Sequence, residues 1–406
     1  MNDKIVENLI NREAKRQANT LNLIASENYV SQDVLTALGS VFTNKYAEGY
    51  SKMRYYGGNE VMDELEDLTK ERALKLFKLS PKEWSVNIQP YSGSPANLAV
   101  YLALVPIGEK IMGLRLDMGG HLTHGHKVSV TGKLWKIVSY VVQKGSGQLD
   151  YGEVSGLAKK ERPKLIVAGY TAYSRIIDFK KFQRIAKSSG AIFMVDMSHF
   201  AGLVAGGAYP SPFSSADVVT TTMHKTLRGP RAALIFSRNK FSEAIDKSVF
   251  PGLQGGPHGN QIAATAVALK EAAEPAFRKY AKQTVKNAKA LAESLKKLHW
   301  KIVSGGTDSH LILLDTWARG LSGQEASELL ENVGIVANKN TIPHDTRTPM
   351  SPSGIRLGTA ALTTRGLKEK QMKIIGRVIS ETLLKGKEPE NLKKEVGRIC
   401  KDFPIK

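Results

Sequence analysis

The sequence predicts an α/β protein with a mostly parallel sheet sandwiched by helices and a smaller α+β domain at its C-terminal end. Runs at 165–169 (LIVAG), 191–196 (AIFMVD), 216–221 (ADVVTT) and 232–236 (AALIF) are short and apolar, as buried strands are. Between the first two, 178–190 (DFKKFQRIAKSSG) has apolar residues at helical spacing before a glycine. Alternating strands and helices favour parallel pairing, and such sheets present ligand-binding groups at the carboxyl ends of their strands.

The residue pattern of the chain changes after about residue 275. A lysine-rich stretch at 274–299 predicts a long helix, HLILLD at 310–315 predicts a strand, and 324–332 and 367–385 predict further helices. At the other end, a helical arm precedes the irregular segment NLIASENYV. We therefore predict an N-terminal arm (1–48), a large domain (49–275) and a small C-terminal domain (276–406).

Composition excludes several classes of protein. The 406 residues are 42% hydrophobic, enough to bury a core, so we expect a folded chain. A single cysteine, Cys400, cannot form an internal disulfide or a cysteine zinc cluster and fits a reducing compartment. No run approaches the roughly 18 apolar residues of a membrane span, and the first residues lack a signal-peptide pattern. We expect a cytoplasmic protein.

The formal charge of +20 could attract nucleic acid, acidic membranes or small anions. The lysines are dispersed over helical patterns, however, which is typical of solvated helix faces. No aromatic platform or zinc-finger spacing accompanies them. We therefore expect no nucleic-acid or membrane partner.

Asp196 and Lys225 form the most informative pair. Asp196 ends the apolar run AIFMVD, and Lys225 follows the next strand within TTTMHKT, beside His224. A lysine that forms a Schiff base and an acid that pairs with a protonated ring nitrogen are what a protein supplies to pyridoxal phosphate. Spacing alone leaves another interpretation open, in which Asp196 caps a helix and Lys225 is a surface lysine.

The segment YSGSPAN could cradle a phosphate. Ser92, Gly93 and Ser94 precede an apolar helical stretch, and free amides at a helix start favour an anion. A plain helix cap is the alternative. Neither G-x-x-x-x-G-K-[ST] nor G-x-G-x-x-G is present, so the usual nucleotide-binding signatures are missing.

Three histidines at 121, 124 and 126 invite a metal interpretation. The segment has no H-E-x-x-H, and no carboxylate is held beside the histidines by spacing, so we expect no metal site. A histidine stacked on a flat heterocycle fits the glycine-flanked setting better.

Two other segments are chemically unusual. NKYAEGY and RYYGG cluster tyrosines with Glu48, which offers proton donors and acceptors, although packing at an interface would also explain the aromatic residues. SGIRLGT places Arg356 between apolar residues, where a buried guanidinium needs an anionic partner. A substrate carboxylate and an internal acid are both candidates.

Taken together, these segments resemble the serine hydroxymethyltransferase family, which belongs to the aminotransferase-like (fold type I) group of pyridoxal phosphate enzymes. The resemblance extends from NLIASENYV to SGIRLGTAALTTRG and includes NKYAEGY, RYYGG, QPYSGSPAN, GGHLTHG, VDMSHFAGLVAGG, TTTMHKTLRGPR and FPGLQGGP, in the order of the family. It implies reversible interconversion of serine and glycine, with transfer of the hydroxymethyl carbon to a reduced pterin, either tetrahydrofolate or an archaeal methanopterin.

The resemblance also implies roles for individual residues. The catalytic residues would be Lys225, which forms the Schiff base, with Glu48, Tyr56 and His224. Those binding pyridoxal phosphate would be Ser92, Gly93, Ser94, His121, Ser174, Asp196, His199, Lys225, Tyr46 and Gly256. Those binding the amino acid would be Ser26, Glu48, Tyr56, His199 and Arg356. Those near the pterin would be Leu116, Gly120, His121, Leu122, Asn340, Thr348, Pro349 and Met350.

In this family Tyr46, Tyr55, Tyr56 and the pair Gly255-Gly256 reach across a dimer interface, so the resemblance implies a homodimer with shared sites. Ser198 and Met223 depart from the usual pattern, since alanine commonly stands at the first position and a threonine run at the second. A pyridoxal phosphate aldolase that cleaves 3-hydroxy amino acids such as threonine without a pterin is the alternative function.

Overall fold

A computed structural model of the chain describes residues 1–386 and 388–405. Its helices are α1 (Lys4–Ala18), α2 (Gln32–Leu38), α3 (Glu60–Leu76), α4 (Gly93–Leu104), α5 (Val130–Leu134), α6 (Tyr151–Glu161), α7 (Phe179–Ser189), α8 (Ala201–Ala205), α9 (Asn239–Lys247), α10 (Gly259–Ala273), α11 (Pro275–Lys297), α12 (Gly323–Asn332), α13 (Ala360–Thr364), α14 (Glu369–Leu383) and α15 (Pro389–Asp402). Short helical turns occur at Val41–Asn44, Leu116–Met118, Leu122–His124, Ser248–Leu253, Val303–Gly305 and Trp317–Arg319.

The strands are β1 (Leu21–Asn22), β2 (Gly49–Tyr50), β3 (Met53–Arg54), β4 (Trp84–Asn87), β5 (Lys110–Leu114), β6 (Lys136–Tyr140), β7 (Leu165–Ala168), β8 (Ile192–Asp196), β9 (Val218–Thr222), β10 (Ala233–Arg238), β11 (Lys301–Ile302), β12 (Leu311–Asp315), β13 (Ile335–Val336), β14 (Asn338–Asn340) and β15 (Gly354–Gly358). The chain forms two compact units, 30–282 and 1–29 with 283–406. These borders differ from the predicted ones at 48/49 and 275/276, and the division into an arm and two domains stays a prediction. Residues 387 and 406, within the predicted small domain, lie outside the described residues.

The unit 30–282 is built on a seven-stranded sheet in the order β4-β10-β9-β8-β7-β5-β6. Its strands β9, β8, β7, β5 and β6 pair in parallel, and β10 runs antiparallel to both of its neighbours. The mostly parallel sheet predicted from the sequence is confirmed. Because the parallel strands share a direction, the residues that follow β7, β8 and β9 all emerge at one edge.

The connection between β7 and β8 shows how the sequence directs the fold. Asp178 caps α7 by accepting a hydrogen bond from the Lys181 N–H at 3.0 Å, and Gly190 ends the helix in the left-handed conformation at φ 71°. Phe182 and Ile185 are buried on one face of the helix. Capping, periodicity and glycine thus agree along this segment, and the predicted bounds 178–190 contain the observed helix.

On the other side of the sheet, α4 is almost entirely apolar, and it packs into a core formed with several strands. This core includes Ala96, Val100, Tyr101, Leu165, Val167, Met194, Val218 and Ile235. Apolar burial of this kind is the main term that stabilises a sheet between helices, at roughly 25 cal/mol per Å². It also holds the first residues of α4 against the carboxyl edge of the sheet.

The second unit contains the antiparallel sheet β11-β12-β15-β14 and the parallel pair β1-β13. A separate core joins β12, β15, α12, α14 and α15 through residues such as Leu314, Leu330, Leu357, Ile375 and Val396. Ser322 begins α12 with a capping box, since its hydroxyl accepts from the Glu325 N–H while the Glu325 carboxylate accepts from the Ser322 N–H. The predicted strand at 310–315 and helices near 324–332 and 367–385 are observed in this unit. None of the helices in the described ranges combines the length and apolar character that a membrane crossing requires.

Candidate active site

Three predicted site residues emerge at the carboxyl edge of the large sheet. Ser174 follows β7, Asp196 is the last residue of β8, and Lys225 lies three residues beyond β9. All three are buried. A surface position for Lys225, the alternative left open by the sequence, is therefore wrong.

Asp196 is a buried carboxylate within a network of donors. Its Oδ2 atom accepts from Asn97 Nδ2 at 2.9 Å and lies 3.2 Å from His124 Nε2, and its Oδ1 accepts from the Ser198 N–H at 3.0 Å. Burial disfavours the charged form, but the hydrogen bond and charge of His124 outweigh it, with help from His121 and Lys225. They hold the pKa of Asp196 well below its ordinary value, so the group is an anion at neutral pH.

Asn97 is a site residue that the sequence reasoning missed. It is 1% exposed within the apolar helix α4, and its Nδ2 donates to both Asp196 and the Thr123 hydroxyl, each at 2.9 Å. Its Oδ1 accepts from the Thr220 hydroxyl at 2.7 Å, which ties it to β9. A polar side chain in an otherwise apolar helix was the available signal, because such a residue is buried only when it is hydrogen-bonded.

The two histidines of the GGHLTHG segment have different environments. His124 is buried against Asp196, whereas the Nδ1 atom of His121 accepts from the Thr123 N–H at 3.2 Å and lies 2.7 Å from the Thr123 hydroxyl. An accepting Nδ1 leaves the ring proton on Nε2. The ring of His121 is thus oriented by Thr123, which is itself held by Asn97.

His224, next to Lys225, is neutral in this environment. Burial, followed by the positive charges of Lys225 and Arg231, lowers the pKa of His224 to about 3. Its Nδ1 atom is buried without a hydrogen-bond partner among the described residues. Because the imidazole of His224 is neutral, it adds no second positive charge next to Lys225.

The start of α4 lies against the end of β9. A Cβ atom placed on Gly93 would lie 2.7 Å from Thr222 Cγ2, so only glycine fits this contact. Ser92 occupies the N-cap position, but its side chain makes no capping hydrogen bond. The interpretation in which the Ser92 side chain only caps the helix is therefore wrong. The backbone amides at the start of α4 lie beside β9, the strand that leads to Lys225.

Ser198 and His199 connect the ends of β8 and β9. The Ser198 hydroxyl accepts from the Thr222 N–H at 3.0 Å, and the Thr226 hydroxyl donates to the His199 carbonyl at 3.0 Å. Both residues are buried. The departure at Ser198 therefore adds a hydrogen bond between the segment after Asp196 and the strand before Lys225.

A second cluster in the same unit surrounds Glu48. Its Oε1 accepts from the Tyr46 hydroxyl at 3.2 Å, and the rings of Tyr46 and Tyr56 meet edge to face at 5.1 Å. A Cβ atom on Gly256 would lie 3.5 Å from the Tyr46 ring. The structure thus brings together Tyr46, Glu48, Tyr56 and Gly256, from segments about 200 residues apart.

Arg356 and Ser26 belong to the other unit. Arg356 lies in the middle of β15, and its Nε donates to Asn338 Oδ1 of β14 at 3.2 Å. Burial lowers the pKa of Arg356 to about 10, still far above neutral pH. The segment that contains Ser26 runs beside the end of β15, where the Gly358 N–H donates to the Leu23 carbonyl at 2.7 Å.

The residues expected near a pterin fall into two sets. Leu116, Gly120, His121 and Leu122 belong to the unit 30–282, and Leu122 is 45% exposed. The others, Asn340, Thr348, Pro349 and Met350, belong to the second unit. There, the Asp345 carboxylate accepts from the N–H groups of Arg347 and Ser353, each at 2.9 Å, and so shapes the loop after β14.

Comparison with known proteins assigns the family. The sequence profile described as Serine hydroxymethyltransferase matches residues 1–379. Proteins named serine hydroxymethyltransferase are 53% identical in Koribacter versatilis and 51% in Acidobacterium capsulatum, each over 406 residues, and 49% identical over 405 residues in Desulfotalea psychrophila. Each alignment covers 99% of this chain and 94% of the relative. The chain belongs to the serine hydroxymethyltransferase family.

Proposed function

We propose that this chain interconverts serine and glycine reversibly and transfers the hydroxymethyl carbon of serine to a reduced pterin. The family to which it belongs consists of transferases that use pyridoxal phosphate, with tetrahydrofolate as co-substrate. The observation that carries the proposal is the buried anion Asp196, which ends β8 beside the strand that leads to Lys225.

The residues at this edge fit pyridoxal phosphate. Asp196 is held as an anion, as pairing with a protonated pyridine nitrogen requires. The start of α4 offers free amides and the hydroxyls of Ser92 and Ser94 to a phosphate. His121, oriented through Thr123, presents a flat ring for stacking. We assign His199 and Ser174 to the same cofactor, on the basis of their burial at the same edge.

Lys225 would hold pyridoxal phosphate, and the bound cofactor would supply the electron sink that cleavage of the Cα–Cβ bond of serine needs. Asp196 would stabilise the positive charge on the pyridine nitrogen, on which this electron sink depends. Asn97 holds the Asp196 carboxylate in place through a hydrogen bond. His224 stays neutral, so it adds no positive charge beside the lysine amine.

Other residues would hold the substrate and move the proton of its hydroxyl. Arg356 is cationic at neutral pH, so its guanidinium would bind the amino acid carboxylate, with the Ser26 hydroxyl as a second donor. Such a clamp fixes the orientation of the bond to be broken. Glu48 would move the proton at the hydroxyl of serine, and Tyr56 would act beside it.

We propose that Leu116, Gly120, His121 and Leu122 bind the pterin, and that Asn340, Thr348, Pro349 and Met350 also contribute to its binding. Tetrahydrofolate is the family's co-substrate, and a methanopterin is the other candidate. The pterin-independent aldolase stays an alternative that no specific observation favours.

We further propose a homodimer with shared sites. Large apolar side chains on both sides of Glu48 in the sequence are exposed: Val41 is 81%, Met53 69%, Tyr55 74% and Val61 64% exposed. Exposed apolar and aromatic side chains of this kind are typical of a protein interface. A second copy of the chain would cover these exposed side chains. The cluster of Tyr46, Glu48, Tyr56 and Gly256 would then contribute to the active site of that second copy.

The proposal is tested by incubating the purified enzyme with pyridoxal phosphate, serine and either tetrahydrofolate or a methanopterin, and measuring glycine. We expect glycine with one of the pterins, and neither the absorbance band of a lysine Schiff base nor turnover for Lys225→Ala. Cleavage of threonine at the same rate with and without pterin, together with no pterin-dependent glycine, would favour the aldolase instead.

A further inference from the structure

The backbone on both sides of Glu48 is held by one guanidinium group. Nη1 of Arg54 donates to the Ala47 carbonyl at 2.9 Å and to the Gly49 carbonyl at 2.8 Å. The carbonyl of Glu48 itself accepts from the Tyr55 N–H at 3.1 Å. The three successive carbonyls are therefore all occupied, and the Cα atom of Glu48 has little freedom to move.

Arg54 is in turn anchored to α3. Its Nε donates to Asp63 Oδ1 at 2.8 Å, and its Nη2 forms an ion pair with Glu66 Oε2 at 3.1 Å. The side chain of Arg54 is 5% exposed and that of Glu66 is fully buried. Asp63 and Glu66 are three positions apart on one helix face, so a rigid element carries both anchors.

A second buried side chain reinforces the same carbonyl. Nε2 of Gln89 donates to the Gly49 carbonyl at 3.0 Å and to Glu66 Oε1 at 2.9 Å. Gly49 has φ of 97°, a conformation that favours glycine, and a Cβ atom there would lie 2.2 Å from the Met53 carbonyl oxygen. The turn after Glu48 is thus built for this one backbone path.

Fold stability alone is a weak explanation for this arrangement. A buried ion pair loses much of its attraction to desolvation, and apolar side chains of similar volume often stabilise a fold as well or better. Burial raises the pKa of Glu66, and the charge of Arg54 opposes that rise, so the pair has a desolvation cost. Only a planar guanidinium can reach two carbonyls and two carboxylates at once, which a lysine ammonium cannot do.

We infer that Arg54 is a positioning residue for the serine hydroxymethyl transfer, because it fixes the backbone of Glu48 and so aims its carboxylate at the reacting hydroxyl. This inference rests on the role proposed above for Glu48. Arg54 is not proposed to touch substrate or cofactor. Its effect on turnover passes entirely through Glu48.

The test is a double-mutant cycle on the holoenzyme with Arg54→Lys and Glu48→Gln, measured as turnover of serine with tetrahydrofolate. Arg54→Lys keeps the charge opposite Asp63 and Glu66 but loses the two-carbonyl contact. We expect kcat to fall about tenfold or more in the wild-type background and less than about twofold in the Glu48→Gln background. The KM for serine and the visible absorbance of the cofactor should stay near wild type.

Ser51→Ala is the matched control, because the Ser51 hydroxyl ties the same hairpin to Asp67 of α3 at 3.0 Å on the exposed side. It should turn over serine at the wild-type rate. An equal loss from Arg54→Lys in both backgrounds, or no loss in the wild-type background, overturns the inference. Wild-type turnover by Glu48→Gln alone would instead refute the role of Glu48.

If Arg54→Lys does not take up the cofactor, the cycle is repeated with Gln89→Met, which removes a single donor to the Gly49 carbonyl. A smaller loss that again disappears in the Glu48→Gln background supports the inference. A Gln89→Met enzyme with unchanged kcat overturns it, because the reinforced carbonyl would then have no bearing on Glu48.

Discussion

Asn97 holds Asp196 from across 99 positions of sequence, with its Nδ2 atom 2.9 Å from the carboxylate Oδ2. Both residues are buried, and Asn97 also connects to Thr123 and Thr220. The charged end of β8 is therefore oriented by a neutral amide that makes no ion pair. This relationship leads to the first prediction.

Asn97→Ala should weaken binding of pyridoxal phosphate about tenfold, because loss of a buried hydrogen bond to a charged group costs about 1.5 kcal/mol or more. Titration of the apoenzyme by visible absorbance measures the change. Thr220→Val, which removes only the donor to Asn97 Oδ1, should act in the same direction but less. Wild-type affinity in Asn97→Ala would show that Asp196 needs no such support.

The shared-site dimer predicts that two inactive variants restore activity in each other. As homodimers, Lys225→Ala should be inactive and Glu48→Gln should retain only a small residual turnover. In a mixed dimer, however, one site would combine an intact Lys225 with an intact Glu48 from the other chain. Random pairing of equal amounts should recover about one quarter of wild-type turnover, since half the dimers are mixed and each has one good site.

Co-expression of the two variants with different affinity tags, followed by purification on both tags, isolates the mixed dimer for assay. Its turnover should be about half that of the wild-type dimer. A mixed dimer as inactive as its parents would mean that each chain builds its own site. Chains that elute as monomers would contradict the dimer itself.

The sequence predicted the parts of the fold in which local signals agree. In α7, the cap at Asp178, the apolar periodicity and the terminal Gly190 all point to the same helix. The pair of Asp196 and Lys225 could likewise be found, because each follows a run that is recognisable as a strand. In a parallel sheet, the residues that directly follow successive strands lie at the same edge, so their places in the sequence indicate their places in the fold.

The supporting residues could not be predicted, because their partners are distant in sequence. Asn97 could equally have been a surface residue in YSGSPAN, and only the packing of α4 on the sheet turns it toward Asp196. In the sequence Arg54 is only the first residue of RYYGG, whereas in the structure it binds carbonyls on both sides of Glu48. Such contacts depend on tertiary packing, which periodicity does not report.

His224 predicts a pH dependence of stability. Its pKa in the folded chain is about 3, below the ordinary value of 6.5, so between these values only the unfolded chain binds the proton. The stability that neutral His224 contributes to the folded chain is fully present above pH 6.5 and is lost as the pH falls toward 3. Between about pH 7.5 and 5.5, the free energy of unfolding should decrease by about 1.4 kcal/mol through this group.

Urea denaturation of wild type and His224→Asn at both pH values isolates the effect, because other titrating groups are common to the two proteins. The wild-type chain should lose more stability on acidification than the variant does. An equal loss in both proteins would mean that the pKa of His224 is the same in the folded and the unfolded chain.

Arg365 predicts a large effect on stability in the other unit. It is 3% exposed and donates to four carbonyls, those of Ala18, Thr20, Cys400 and Phe403, at 2.6 to 3.2 Å. Two of these belong to the last turns of α1 and α15, where a cation is also favoured by the helix dipoles. Arg365→Met should lower the free energy of unfolding by about 3 kcal/mol or more, because buried carbonyls lose their donors.

Arg319→Met is the matched control for this prediction. Arg319 also donates to two carbonyls, those of Leu298 and His299, but from an exposed position where water can replace it. Its loss should cost less than about 1 kcal/mol. Because burial is the difference between the two arginines, similar urea midpoints for the two variants would contradict the argument that Arg365 stabilises the ends of α1 and α15.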